Sequence, residues 1–243
     1  MSDLHLGARK SQVRRINEFL KDVDCENLYL VGDVIDIWRI KQLMAMKSGT
    51  SKRHFACVNR ILKLARRGTR VVYVTGNHDE FLNFFVSGED SGRLVLAERI
   101  VHQSPNGGSI LVIHGHQFDL ATRFPRFLLV MGDVGYDILL RLNSFVNMVR
   151  RTWRGKQWSL ARYLKRNLKQ ALNFTRSFEE TAVEYARRRG HVGVICGHIH
   201  TPTSKWIDGT MYWNTGCWTE ELNCSYLVEN WDGSIELRTL EQE

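Results

Sequence analysis

The sequence predicts an α/β sandwich interrupted by a helical insert. Three observations lead there. Apolar runs of strand length alternate with amphipathic helical segments, the pattern of strands covered on both faces. Each apolar run stops at an Asp, Asn or His. Residues 117–189 break the alternation with two or three helical segments and no strand signal. The expected organisation is a core of 1–116 and 190–243, with 117–189 as a basic, apolar-faced cap.

The elements follow in chain order. "SQVRRINEFLKDV" (11–23) has apolar residues at 13, 16, 19, 20 and 23, a helical spacing. "NLYLVGDVIDIW" (27–38) begins as a strand and ends at Gly-Asp. "RHFACVNRILKLARRG" (53–68) reads as a helix with a glycine stop. "TRVVYVTGNHDEF" (69–81) is strand, then Gly-Asn-His-Asp. "GSILVIHGHQFD" (108–119) is strand, then His-Gly-His. "HVGVICGHIHTP" (191–202) is strand, then Gly-His-x-His. From about Lys205 onward, short β runs alternate with turn signals such as Asp208-Gly209 and Asp232-Gly233.

Composition narrows the class. The chain has 243 residues, 43% hydrophobic and 25% charged, ordinary for a globular protein. Five scattered cysteines without a C-x-x-C read as reduced thiols, so a cytoplasmic location is expected. The most apolar stretch, 127–140, carries Asp133 and Asp137 and is too short to span a bilayer. The net charge is +8, and residues 123–189 hold 15 Lys/Arg against 5 Asp/Glu. That segment is the expected face for an anionic partner.

The strand ends carry the chemistry. They place Asp3 and His5, Asp33, Asn77, His114, and His198 with His200 at one edge of the fold. Open α/β sheets bind ligands outside the carboxyl ends of their strands. A single His after a strand is usually structural, but five such ends together imply a metal centre. Imidazole, carboxylate and amide oxygen without thiolate suit Mn²⁺, Fe²⁺ or Zn²⁺. Seven ligands exceed one tetrahedral ion and fit two divalent ions sharing a carboxylate.

The set D-x-H, GDxxD, GNHD, H and GHxH resembles the signature of the calcineurin-like metallophosphoesterases. The resemblance runs from Asp3 to His200 and leaves the insert outside. It implies a four-layer α/β/β/α sandwich. It also implies that Asp3, His5 and His200 bind one ion, that Asn77, His114 and His198 bind the other, and that Asp33 bridges them. His78 would serve the leaving oxygen as proton donor or charge stabiliser, with Asp36 orienting it. In the family an apolar strand precedes D-x-H, and "MSDLHLG" leaves no room for one. The first strand is therefore expected to be missing, through a truncated or misassigned start, unless another strand substitutes. True absence would leave Asp3 and His5 at a fraying terminus beside an unpaired sheet edge.

The insert bears on the substrate. In 123–151 a narrow polar stripe runs along a mostly apolar helix, and 158–178 sets a basic face opposite a leucine face. Two helices packed on the core explain this; so does a cap that admits acyl chains and meets anionic headgroups. Arg123, Arg126, Arg162, Lys165, Arg166 and Lys169 are the candidate substrate contacts. "SDLHLG", "GDVIDIW" and "GHIHTP" resemble the UDP-2,3-diacylglucosamine diphosphatases of lipid A synthesis. That resemblance implies cleavage of a pyrophosphate to UMP and a lipid 1-phosphate, with Mn²⁺ as the expected metal. It also implies peripheral contact with the inner face of the inner membrane. That group carries Arg where this chain has His78, which leaves a related branch with another substrate in view. A phosphodiesterase or phosphatase on a soluble nucleotide is the alternative. Two further classes are a metal-free interaction module and a nucleic-acid binder. Nucleic acid lacks a supporting motif, and no obligate protein partner is evident.

Overall fold

The computed structural model describes residues 1–36, 39, 49–85, 92–118, 175–220 and 224–240. The chain divides into two compact units, Met1–His116 with Glu179–Glu243, and Gln117–Phe178. Residues 179–189, expected in the insert, thus group with the larger unit. The expected helices of 123–151 and most of 158–178 lie outside the described residues.

The larger unit is built on two sheets. The first is parallel, in the order β1 (Asn27–Val31), β2 (Arg70–Val74), β3 (Leu94–Ala97). The second contains β4 (Arg99–Gln103), β5 (Ser109–Ile113), β6 (Gly193–Cys196), β7 (Thr203–Ile207) and β8 (Thr210–Asn214). Its order is β4-β5-β6-β8-β7, with β5, β6 and β8 parallel and the two outer strands antiparallel. A hairpin of β9 (Ser225–Glu229) and β10 (Ile235–Thr239) completes the strands.

Strand side chains alternate between faces, and this decides the layers. Leu28, Leu30, Val71 and Tyr73 turn to α1 (Val13–Asp22) and α2 (Gly49–Arg67), meeting Ile16, Leu20, Cys57, Ile61 and Leu64. Val31, Val72 and Val74 turn the other way and meet Val112 of the second sheet. Each fully buried aliphatic side chain contributes roughly 1.5–3 kcal/mol. A third helix, α3 (175–187), lies along the second sheet, its Glu179 paired with Lys205 of β7 at 2.6 Å and its Tyr185 hydroxyl accepting from Arg99 of β4 at 3.2 Å. The order is helix, sheet, sheet, helix, as the resemblance implied. No helix among the described residues is long and apolar enough to cross a membrane. All five cysteines are free thiols, four of them buried.

The N-terminal segment corrects the expectation of a fraying end. No strand precedes Asp3, yet residues 1–8 are all buried. The segment runs beside β1 in parallel register. The Met1 amino group donates to Tyr29 O at 3.1 Å, and Val31 N donates to Met1 O at 2.8 Å. Asp3, His5 and Leu6 then donate to Gly32, Asp33 and Val34 carbonyls at 2.8–3.0 Å. From the other side Trp218 N donates to Asp3 O at 3.1 Å, and Ser2 Oγ donates to Gly216 O at 3.0 Å. Six residues that are too short for a strand are held on both edges by backbone bonds.

Candidate metal centre

Four strands of the two sheets end at one place. β1 leads into Gly32-Asp33, β2 into Gly76-Asn77-His78, β5 into His114, and β6 into Gly197-His198-Ile199-His200. After β1 and β6, and in the N-terminal segment, the backbone turns left-handed at the ligands themselves. Asp3, His5, Asp33, His198 and His200 have φ between 45° and 68°, and among the described residues only one other non-glycine, Asp208, has positive φ. Such conformations are costly for side chains with a Cβ and cluster at functional sites. Two glycines allow the strand ends to close up. A Cβ on Gly32 would lie 2.2 Å from His114 Nδ1, and one on Gly76 would lie 2.2 Å from Asp33 Oδ1.

The side chains converge on Asp33. Its Oδ2 lies 3.4 Å from His114 Nε2 and 3.9 Å from both His5 Nε2 and His78 Nε2. Its Oδ1 accepts the His78 N–H at 2.8 Å. Asp3 Oδ1 lies 3.1 Å from His200 Nε2 and 3.9 Å from His5 Nε2, while Asp3 Oδ2 accepts the His198 N–H at 3.1 Å. The His114 and His198 rings are 5.2 Å apart, and the His5 and His200 rings 5.5 Å. Among the described residues, three sets have atoms close enough to share an ion: Asp3, His5 and His200; Asp3, Asp33 and His114; His5, Asp36 and His78. Asn77 follows β2, between Gly76 and His78. Of the residues expected at the site, the six Arg and Lys candidates of the insert lie outside the described residues.

The donor set fits metal ions on the chain's own evidence. His5 Nε2, His114 Nε2 and Asn77 Oδ1 are buried and lack a hydrogen-bond partner. Such atoms cost about 1–3 kcal/mol each unless something fills the space they face. The orientation of His114 is set by its neighbour: Nδ1 donates to Val31 O at 2.8 Å, which aims Nε2 at Asp33. The electrostatics agree. Burial alone would raise the Asp33 carboxyl, but His114, with His78 and His5, holds it well below the usual range. Burial alone would lower His114, yet Asp33 and Asp3 lift it to about 9. His200 is likewise lifted to about 10 against its burial, chiefly by Asp3. A buried excess of carboxylate charge thus holds protons on imidazoles, which is where a divalent cation competes.

His78 stands at the rim. Its Nδ1 lies 3.5 Å from Asp36 Oδ2, an ion-pair separation longer than a good hydrogen bond. Asp36 first, then Asp33, raises its pKa against the effect of burial. Asp36 is in turn 3.2 Å from Arg39 Nε.

Sequence reasoning missed two residues here. Asp79 is fully buried and gathers Val34 N–H at 2.8 Å, the Tyr73 hydroxyl at 2.7 Å and the Gly76 N–H. It ties the β1 and β2 loops together, and the final Asp of "GNHD" was its visible signal. His116, the second histidine of "HGH", has its ring 5.6 Å from His114 and 6.5 Å from His198. Burial, then the neighbouring histidines, push it down to about 4, and its buried Nδ1 has no partner.

Comparison with known proteins bears on this arrangement. No curated protein matches the chain. Similar solved structures include an archaeal phosphodiesterase, at 12% identity over 99% of this chain and 97% of that one, with a TM-score of 0.43. Vacuolar protein sorting 29 from Cryptosporidium parvum shares 13% over 100% and 96%, at 0.44. The phosphopantetheinyl hydrolase of Mycobacterium tuberculosis shares 14% over 89% and 88%, at 0.42. The family model for calcineurin-like phosphoesterases matches residues 1–202, which takes in every strand end described above. The chain belongs to the calcineurin-like phosphoesterases, hydrolases of phosphoester bonds that use divalent metals.

Proposed function

We propose that this hydrolase splits the pyrophosphate of UDP-2,3-diacylglucosamine, or of a related sugar-nucleotide lipid, to UMP and a lipid 1-phosphate. The observation that carries the metal chemistry is the set of buried, unpartnered His5, His114 and Asn77 atoms around Asp33. The lipid reading rests on the wording of "SDLHLG", "GDVIDIW" and "GHIHTP" and on the basic, apolar-faced insert.

Asp3, His5 and His200 would hold one cation, Asn77, His114 and His198 a second, and Asp33 would touch both. Two such cations, Mn²⁺ foremost with Fe²⁺ or Zn²⁺ as alternatives, supply Lewis-acid polarisation of a phosphoryl group and an acidified water. The chain's own part is orientation and proton transfer. Asp36 and Asp33 raise the pKa of His78, which favours its protonated form, and it gives its proton to the leaving oxygen. Asp36, itself braced by Arg39, keeps that imidazole in place. Arg123, Arg126, Arg162, Lys165, Arg166 and Lys169 would meet the anionic part of the substrate, with the protein peripheral on the inner face of a cytoplasmic membrane.

The test is hydrolysis of UDP-2,3-diacylglucosamine with added Mn²⁺, read by product mass, beside the Asp33→Ala variant. UMP and lipid 1-phosphate from the native chain alone are expected. Turnover of a small phosphodiester without release of UMP would reject the lipid substrate and favour the reading as a soluble-nucleotide phosphodiesterase or phosphatase.

A further inference from the structure

Outside residues 123–189 the chain carries slightly more acid than base, yet that sum conceals a segregated surface. Helices α1 and α2 together hold nine Lys/Arg and two Asp/Glu. The two helices pack side by side, and a groove of about 340 Å³ runs between them. Arg14, Lys21, Lys52, Arg53 and Arg60 line it, and Glu18, the one acid there, is paired with Arg14 at 2.9 Å. Asn17 fixes its floor. The Asn17 amide donates to Val13 O and Arg53 O at 2.8 and 3.0 Å and accepts from Arg60 Nε at 3.0 Å.

The solvent side of α2 is not purely polar. Lys52, Phe55, Asn59, Leu62 and Arg66 follow one another at helical spacing, all exposed. Phe55 and Leu62 are 40% and 36% exposed, large apolar side chains set among cations. Apolar side chains framed by Lys and Arg on one helix face match the boundary between headgroups and acyl chains. Phosphate groups alone would leave Phe55 and Leu62 without a role.

We infer that the α1–α2 face is a docking surface for an anionic lipid bilayer, with the groove taking headgroup phosphates and Phe55 and Leu62 entering the interface. The buried side of the same helix is tied to the ligand-bearing segment. His54, next to Arg53, accepts the Gly7 N–H at 3.0 Å, two residues beyond His5. The inference stands on this face and not on the identity of the substrate.

The experiment is sedimentation of the native protein with vesicles of phosphatidylglycerol mixed with phosphatidylcholine, or of phosphatidylcholine alone, at physiological ionic strength. Binding to the anionic vesicles only is expected. Each Lys or Arg near such a surface is worth about 1 kcal/mol, or roughly five-fold. Lys21→Gln, Lys52→Gln and Arg53→Gln combined should therefore lower the partition about 100-fold. The single Lys52→Gln variant should lower it about five-fold and serves if the triple variant misfolds. A control pair on α3, Arg187→Gln with Arg188→Gln, should leave it unchanged. Turnover of a small chromogenic phosphodiester and of detergent-dispersed lipid substrate should persist in all variants. Full vesicle binding by the triple variant, or an equal loss in the control pair, overturns the inference. So does a short DNA duplex that displaces the native protein from vesicles while the triple variant loses the duplex too, which assigns the face to nucleic acid.

Discussion

The strand ends and the outer face of α1 and α2 both concentrate charge, but under opposite conditions. At the strand ends Asp3, Asp33 and His114 are almost completely removed from water, and donor atoms are left without partners. On the helices, Arg14 and Glu18 form a pair whose side chains are 83% and 56% exposed. Burial makes the first group dependent on its neighbours, because an uncompensated charge in a low dielectric costs several kcal/mol. Exposure makes the second group nearly independent, because water and salt screen it. The comparison teaches where a substitution matters for chemistry and where it matters only for association.

The sharpest way to break the comparison is Asp33→Ala. It removes the carboxylate that His5, His78 and His114 share, so metal content falls and hydrolysis of a small phosphodiester is abolished; elemental analysis and a colorimetric assay check both. His78→Gln separates proton transfer from metal holding. A drop of about 10²–10⁴-fold in kcat is expected, with metal content retained and the alkaline limb of the pH profile altered, since the proton donor is lost as pH rises through its raised pKa.

Support from outside the cluster comes next. Trp218 is fully buried, its Nε1 donates to Ser225 O at 2.9 Å, and its backbone holds Asp3. Trp218→Ala should destabilise the fold by about 3–5 kcal/mol, measured by urea unfolding. His54 gives a smaller, pH-dependent effect. Burial lowers its pKa from the ordinary 6.5, and its Nδ1 must stay unprotonated to accept the Gly7 N–H. Between the two pKa values the unfolded chain binds a proton that the folded chain excludes. The contribution of His54 is therefore complete above about pH 6.5 and is lost as pH falls through the folded value. His54→Gln, which keeps an acceptor, should flatten that acid slope in unfolding curves. Smallest is Arg14→Gln, which breaks an exposed pair and should shift stability by no more than about 0.5 kcal/mol. A larger change would show that the outer face is coupled to the core.

Much of this was legible in the sequence because the signals are local. Apolar runs ending at Asp, Asn or His marked β1, β2, β5 and β6 and their ligand loops, and the helix over 11–23 is observed as Val13–Asp22. The second helix begins earlier than expected, at Gly49, because its first turn is polar and carries no apolar period. The role of Asp79 was not legible, since its partners Val34 and Tyr73 come from other segments.

Residue order alone thus determined the donor types, their spacing and the strands that deliver them, because side-chain alternation and strand length are properties of short stretches. Only the tertiary structure decided that Met1–Leu6 lies in strand register against β1, buried rather than fraying. It alone decided that five ligand residues adopt left-handed φ, and that two basic helices meet along one groove. Each of those depends on contacts between distant segments, such as Trp218 with Asp3 and Asn17 with Arg53, and no periodicity within a segment encodes them.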